Sequence, residues 1–281
     1  MTHIQRIRTE LLEVAYEAGG PAEGPAILLL HGWPDDVRTF DAVAAELHRL
    51  GCRTYAPYLR GFGETRFLSA ATPRSGQIAA MAQDVLDLAD ALHLERFAIV
   101  GHDWGARIGY FLAALHPGRV ERLVAMSVGW EPGGLRTPAL EQARRFWYQW
   151  FMATERGAEV VRRDGVAFAR FQWQTWSPPT WFDEAVFAVT APAFQNPDWP
   201  EITIHSSSPL GASRSRPSLC PVGEQTASGR HDCRADAGHS RRGRPMRLGG
   251  HVGGQGVVLH RRVRSSCPPR HRAFPDPRVR R

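Results

Sequence analysis

No stretch of this 281-residue chain approaches the run of about eighteen apolar residues that crosses a bilayer, and no basic-then-apolar leader opens it. These absences argue against a membrane protein and predict a cytoplasmic one. Cysteine is scarce. Of four residues, Cys220, Cys233 and Cys267 lie in the last quarter without a close Cys-x-x-Cys spacing, so no metal is implied, and Cys52 reads as a small buried hydrophobe beside a strand. Gly61-Phe62-Gly63 lacks the further glycine and the context of a dinucleotide loop, so no nucleotide cofactor is expected, and no internal repeat is present.

Other residue types are missing from one part of the chain only. All nine tryptophans and all five tyrosines precede position 207, and no isoleucine follows it. Residues 207–281 carry sixteen arginines against Glu224, Asp232, Asp236 and Asp276, a net charge of +12, which leaves −5 for residues 1–206 out of the chain's +7. The basic character therefore belongs to a tail. Such an Arg/Gly/Pro/Ser-rich segment is open to three accounts: a disordered arm for nucleic acid or another acidic surface, a divergent end to the fold, or translation out of frame.

Before the tail, the pattern alternates. Residues 11–19 and 26–30 read as strands separated by a Gly/Pro turn, 41–50 as a helix and 53–56 as a strand. Ile78, Met81, Ala82, Val85, Leu86, Ala89 and Leu92 form the apolar face of an amphipathic helix. A strand over 97–100, a helix over 106–115 and a strand over 120–127 follow, and this order predicts an α/β fold with a mostly parallel sheet. From Trp130 onward the chain turns to Trp, Phe, Arg and Pro at helical spacing, as in residues 146–152 and 168–173.

Between the strand and the helix near residue 100 stands Gly101-His102-Asp103-Trp104-Gly105. In a Gly-x-nucleophile-x-Gly elbow the glycines permit a sharp strand-to-helix turn that lifts the central side chain clear of the sheet. The usual occupant is serine. A carboxylate suits a different task, displacement at an alkyl carbon to form an ester that water then hydrolyses, and epoxides and alkyl halides are substrates of that kind. The bland alternative is that Asp103 caps a helix. About seventy residues earlier, His31-Gly32-Trp33-Pro34 follows an apolar run, where a turn can aim a backbone N–H at a developing anion.

With Pro57-Tyr58-Leu59-Arg60-Gly61-Phe62-Gly63-Glu64-Thr65, these segments resemble the α/β-hydrolase superfamily, and within it the epoxide hydrolase and haloalkane dehalogenase branch, over roughly residues 11–206. The resemblance implies a core over residues 1–129, a helical cap over 130–206 and a tail over 207–281. Asp103 would be the nucleophile, the N–H groups of Trp33 and Trp104 the oxyanion hole, and His31, Gly32, Pro34, Gly101 and Gly105 the motif positions that support them. Tyr148 is the candidate cap acid that protonates the opened ring. Most cap aromatics would serve only to pack helices onto the core. The implied partner is a small apolar epoxide or alkyl halide, with no cofactor, no nucleic acid and no membrane. A dehalogenase could hold halide on the indole of Trp104, but such enzymes often carry Asn at the third position of the His-Gly-x-Pro turn, where this chain has Trp33, and that favours the epoxide.

The same resemblance sharpens the account of the tail. Codons for residues 268–279, read one nucleotide later, allow Leu-Pro-Gly-Ile-Gly-His-Phe-Pro-Thr-Arg-Glu, which is similar to the family segment bearing the catalytic histidine. The same shift over residues 232–245 allows Ile-Ala-Val-Pro-Thr-Leu-Val-Ile-His-Gly-Gly-Ala-Asp, like the late strand and turn bearing the catalytic acid, and over 208–212 it allows His-Arg-Trp-Gly. Three matches in one frame and in family order favour translation out of frame. The last strands, the histidine and the acid would then be missing from the chain, whose tail histidines 231, 239, 251, 260 and 271 would be accidents of frame. A remnant that catalyses nothing, with a bare sheet edge, is the remaining alternative.

Overall fold

A computed structural model describes residues 3–130, 138–207 and 258–260. At its centre β3 (Ala26–Leu30) and β6 (Phe97–His102) run parallel, with Leu30 opposite Gly101. Leu28, Leu29 and Leu30 are completely buried, as befits a strand covered on both faces, and each contributes about 1.5–3 kcal/mol by leaving water. β4 (Arg53–Pro57) pairs parallel with the other side of β3, and β7 (Val120–Met126) with the other side of β6. The chain thus leaves β3 toward one edge of the sheet and β6 toward the other. That divergence opens a crevice at the carboxyl ends of the two central strands, where ligands of α/β sheets bind.

Toward one edge the sheet continues antiparallel through β2 (Leu12–Gly19) and β1 (Gln5–Arg8), with the two-residue β5 (Arg66–Phe67) also on β2. At the other edge β8 (Val258–His260) lies antiparallel on β7, with Val124 opposite Leu259. Nothing in the tail's composition predicts a strand, yet Val258, Leu259 and His260 pair with the edge that was expected to be bare. The histidine and acid segments of the shifted frame, residues 268–279 and 232–245, lie outside the described residues.

Helices α1 (Asp41–Arg49), α2 (Ile78–Ala91) and α3 (Trp104–Leu115) follow the predicted alternation. The expected face of α2 is buried through Met81, Ala82, Val85, Leu86 and Ala89. Asp84, on the same helix, takes a bidentate ion pair from Arg60 at 2.5 and 2.6 Å, and Arg60 also donates to the carbonyls of Ser75 and Ala80. This cluster fixes the loop after β4 against α2.

After β7 the described residues form helices α4 (Leu140–Arg145), α5 (Trp147–Met152), α6 (Glu155–Arg163), α7 (Gly165–Trp176), α8 (Glu184–Thr190) and α9 (Trp199–Ser207). Thr154, Asp164 and Asp183 cap α6, α7 and α8 by accepting first-turn N–H groups. Polar bonds tie this helical layer to the loops of the core. Trp173 Nε1 donates to the Pro34 carbonyl (2.6 Å), Trp33 Nε1 to Thr203 Oγ1 (3.0 Å), and Asn196 Nδ2 to the carbonyls of Gly63 and Thr65 (3.2 and 2.8 Å). Among the described residues no helix is long and apolar enough to cross a membrane.

Candidate active site

Register places the two motifs together. Because Leu30 faces Gly101, the residues two positions further along, Gly32 and Asp103, leave the sheet side by side. Asp103 has φ 50° and ψ −108°, a left-handed conformation that costs a residue with a side chain about 1–3 kcal/mol. Its surroundings hold it there: its N–H donates to the Met126 carbonyl (3.2 Å) and its carbonyl accepts from the Arg107 N–H (3.0 Å). Asp103 stands at the N-cap position of α3, but its carboxylate makes no capping bond. Instead Oδ1 accepts the backbone N–H of Trp33 at 3.0 Å. The carboxylate is thus turned away from the helix it precedes and toward the turn after β3.

That approach requires two positions without a Cβ. One on Gly105 would lie 1.8 Å from the Leu30 carbonyl oxygen, and one on Gly32 would lie 2.5 Å from the Asp103 Cβ. Gly101 sits in β6 opposite Leu30, where a Cβ would meet the Gly105 carbonyl at 2.3 Å. His31 is fully buried and works as a strut. Its Nε2 accepts the Leu59 N–H (3.1 Å), so its Nδ1 carries the proton and donates to the Gly32 carbonyl (3.0 Å). Burial, above all, holds its pKa down to about 4, so the ring stays neutral. Both ring nitrogens are engaged. Pro34 follows a cis peptide bond and offers its carbonyl to the helical layer.

Tyr148 enters from α5. Its ring stacks on the Trp33 indole (centroids 5.2 Å apart, planes at 11°) and meets Trp176 edge-on at 4.9 Å. Its hydroxyl accepts from Gln149 Nε2 at 3.1 Å. Burial first, and the negative charge of Asp103 second, push its pKa up to about 12, so the phenol keeps its proton across the physiological range. Trp104 opens α3, where a first-turn N–H has no acceptor within the helix, and its ring meets Phe62 edge-on. The structure therefore brings Asp103, Trp33 and Tyr148 together through the Trp33 N–H and the Trp33–Tyr148 stack, with Trp104 next to Asp103 in the chain. The Trp33 indole N–H is committed to Thr203, so only the backbone N–H of that residue faces the carboxylate.

Sequence reasoning missed several members of this neighbourhood. Phe168, Trp176 and Trp199 line the Trp33 indole at 6.2, 5.8 and 6.3 Å, and their helical spacing marked them only as packing residues. Asp36 caps the 3-10 turn Val37–Phe40 through Oδ1, which also accepts from Thr190 Oγ1 of α8 at 3.0 Å. Burial, reinforced by the neighbouring Asp35, pushes its pKa up to about 7. A second acid after His-Gly-x-Pro is the signal that could have found it. Among the described residues no cluster of three or more His, Cys, Asp or Glu side chains could hold a metal ion.

Residues 25–225 match a family model described as the alpha/beta hydrolase fold. The chain belongs to the α/β-hydrolase family. Its relatives place this hydrolase-fold chain in the epoxide hydrolase branch. Epoxide hydrolase 3 of Siraitia grosvenorii is 33% identical over 144 residues, 51% of this chain and 45% of that protein. Epoxide hydrolase B of Mycobacterium tuberculosis is 30% identical over 175 residues, 56% of this chain and 49% of that protein. The crystal structure of a candidate epoxide hydrolase from Klebsiella pneumoniae is 43% identical, with a TM-score of 0.70 over 73% of this chain and 68% of that one. The chain thus spans about half the length, or less, of these curated relatives.

Proposed function

We propose that this α/β-hydrolase opens epoxides through an ester on Asp103 and then stalls before releasing diol. Asp103 Oδ2 attacks a ring carbon from the rear, the carbon–oxygen bond of the ring breaks, and the Tyr148 proton passes to the leaving oxygen, leaving a phenolate and an alkyl ester. The observation that carries this reading is the Trp33 N–H on Asp103 Oδ1, which fixes one oxygen and leaves the other for attack. In the second half-reaction water would add to the ester carbonyl, with the oxyanion held by the N–H groups of Trp33 and Trp104. That step needs a base to take the proton from water. His31 is spent on Leu59 and Gly32, and codons for residues 268–279, read one nucleotide later, would allow the segment that resembles the family's histidine loop. The protonated Tyr148 favours an epoxide over an alkyl halide, whose leaving group needs no proton.

Incubation with 1,2-epoxyoctane tests both halves. The expected result is one covalent addition per chain, mapped to the peptide containing Asp103, absent from Asp103→Asn, and no more than one equivalent of diol. Addition elsewhere, or none, refutes the nucleophile, whereas steady diol production refutes the stall. A chain rebuilt with the codons after Ser206 read in the shifted frame should turn over repeatedly. Failure of that chain to do so would remove the frame as the cause.

A further inference from the structure

Gln172, in the middle of α7, is 0% exposed, and neither its Nε2 nor its Oε1 has a hydrogen-bond partner among the described residues. Other buried atoms there lack partners singly, such as Trp199 Nε1 and His102 Nδ1, but Gln172 has its entire amide unanswered. Burying an amide in this way is unfavourable, and a leucine would fill similar volume without the penalty. The place of the amide suggests what answers it. Residues four apart on a helix stack on one face, so Phe168, Gln172 and Trp176 form a line. Both ends of that line touch the Trp33 indole, at 6.2 and 5.8 Å, and Trp176 also meets Tyr148 at 4.9 Å. The amide sits between them, on the helix face that packs against Trp33, the residue whose N–H meets Asp103.

We propose that Gln172 selects the substrate of this site by hydrogen-bonding a hydroxyl group carried by the epoxide away from its ring. A hydroxyl both donates and accepts, so it answers Oε1 and Nε2 together. An ether or carbonyl would answer Nε2 alone, and an alkyl end would answer neither. The favoured substrate is therefore a hydroxyalkyl epoxide and not a plain alkyl epoxide. This assignment rests on Asp103 being the ring-opening nucleophile.

The test uses the full chain and its Gln172→Leu variant with pairs of terminal epoxides of equal length, one ending in methyl and one in hydroxyl, from five to nine chain atoms. The pair 1,2-epoxyoctane and 6,7-epoxyheptan-1-ol is one example. The rate of ester formation on Asp103 is followed by intact mass at limiting probe. At one length or more the hydroxyl probe should react roughly tenfold faster than its methyl partner in the parent chain, by the strength of a made against an unmade hydrogen bond. In Gln172→Leu that order should invert, and the thermal midpoint should hold or rise because two unpaired polar atoms have gone. An unchanged preference in the variant, no preference at any length, or a midpoint lowered by several degrees would each overturn the assignment. If no probe esterifies Asp103, quenching of tryptophan fluorescence by the corresponding diols separates the two ideas. A hydroxyl preference lost in Gln172→Leu would then uphold Gln172 and sink the nucleophile, and its absence would sink both.

Discussion

Replacing Gly32 with alanine should disable the carboxylate without removing any group that touches substrate. The new Cβ would lie 2.5 Å from Asp103 Cβ, 2.9 Å from the His102 carbonyl oxygen and 3.0 Å from Asp103 Oδ1. Non-bonded carbons rest at about 3.5–4.0 Å, so one partner must move by roughly 1 Å. Neither is free to do so. Asp103 is held through Met126 and Arg107, while the turn is held through His31 to Leu59, Trp33 to Thr203 and Pro34 to Trp173. Whichever yields, the bond from the Trp33 N–H to Oδ1 is lost or bent. A misplacement of about 1 Å at a reacting group slows chemistry by roughly a hundredfold, equivalent to about 2.7 kcal/mol of barrier. Overpacking should lower stability by about 1–3 kcal/mol, which leaves most of the protein folded. The assay compares ester formation from 1,2-epoxyoctane in Gly32→Ala with that in Gly118→Ala, where an added Cβ meets nothing within 4 Å. Ester formation in a folded Gly32→Ala at close to the parent rate would refute the reasoning.

Tyr148→Phe keeps the stack on Trp33 but removes the proton donor, and should slow ester formation by about 10²–10⁴-fold. The parent rate should stay flat from pH 7 to 10, since the phenol titrates only at about 12, and a fall centred near pH 10 would contradict this. Asp84→Asn strands the buried Arg60 guanidinium and should cost about 3–5 kcal/mol in urea unfolding, most of it recovered when both residues are made aliphatic. A loss under about 1 kcal/mol would show that the pair is dispensable. His31 and Asp36 should give opposite pH signatures. The pKa of His31 is depressed to about 4 from 6.5, so its stabilising contribution, about 3 kcal/mol, is present above pH 6.5 and lost as pH falls toward 4; that of Asp36, raised from 3.8 to about 7, is present below pH 3.8 and lost as pH rises through 7. Relative to the parent, His31→Gln should therefore hold its thermal midpoint better toward pH 4 and Asp36→Asn worse, and parallel melting curves would rule this out.

What the sequence reveals here is what local chemistry determines. Residues 26–30 and the apolar run before Gly101 declare strands by composition, and Gly101 and Gly105 bracket Asp103 because the backbone of α3 must start against β3. The edge strand β1 was invisible: Gln5-Arg6-Ile7-Arg8 is mostly polar, as an exposed edge should be, and alternates over too few residues to signal itself. The short β5 exists only because β2 lies beside it. Contacts between motifs were equally hidden. The N–H of Trp33 and the carboxylate of Asp103 are seventy residues apart in sequence, and the indole of Trp33 answers Thr203 across 170. A helix-cap role for Asp103 and a nucleophile role share the same local signature. The direction of the carboxylate, away from the N–H groups of α3, speaks against the cap role and leaves the nucleophile role as a proposal.

The distribution of these parts along the chain bears on the stall. Everything proposed to act in substrate binding and ring opening comes from the folded stretch between β3 and α9: Asp103 between β6 and α3, Trp33 on the turn after β3, and Tyr148 and Gln172 on α5 and α7. The forces that align them are equally internal to that stretch, namely the β3/β6 register, the close approach allowed by Gly32 and Gly105, and the bonds from Trp173, Asn196 and Thr190 that seat the helical layer. None of them depends on residues after 207. Water activation, by contrast, is proposed to need a base that the resemblance puts beyond that point. A break in the reading frame there would leave the first half-reaction mechanically intact while removing the second, so a trapped ester, rather than simple inertness, is the behaviour that distinguishes this account from one in which the whole fold has failed.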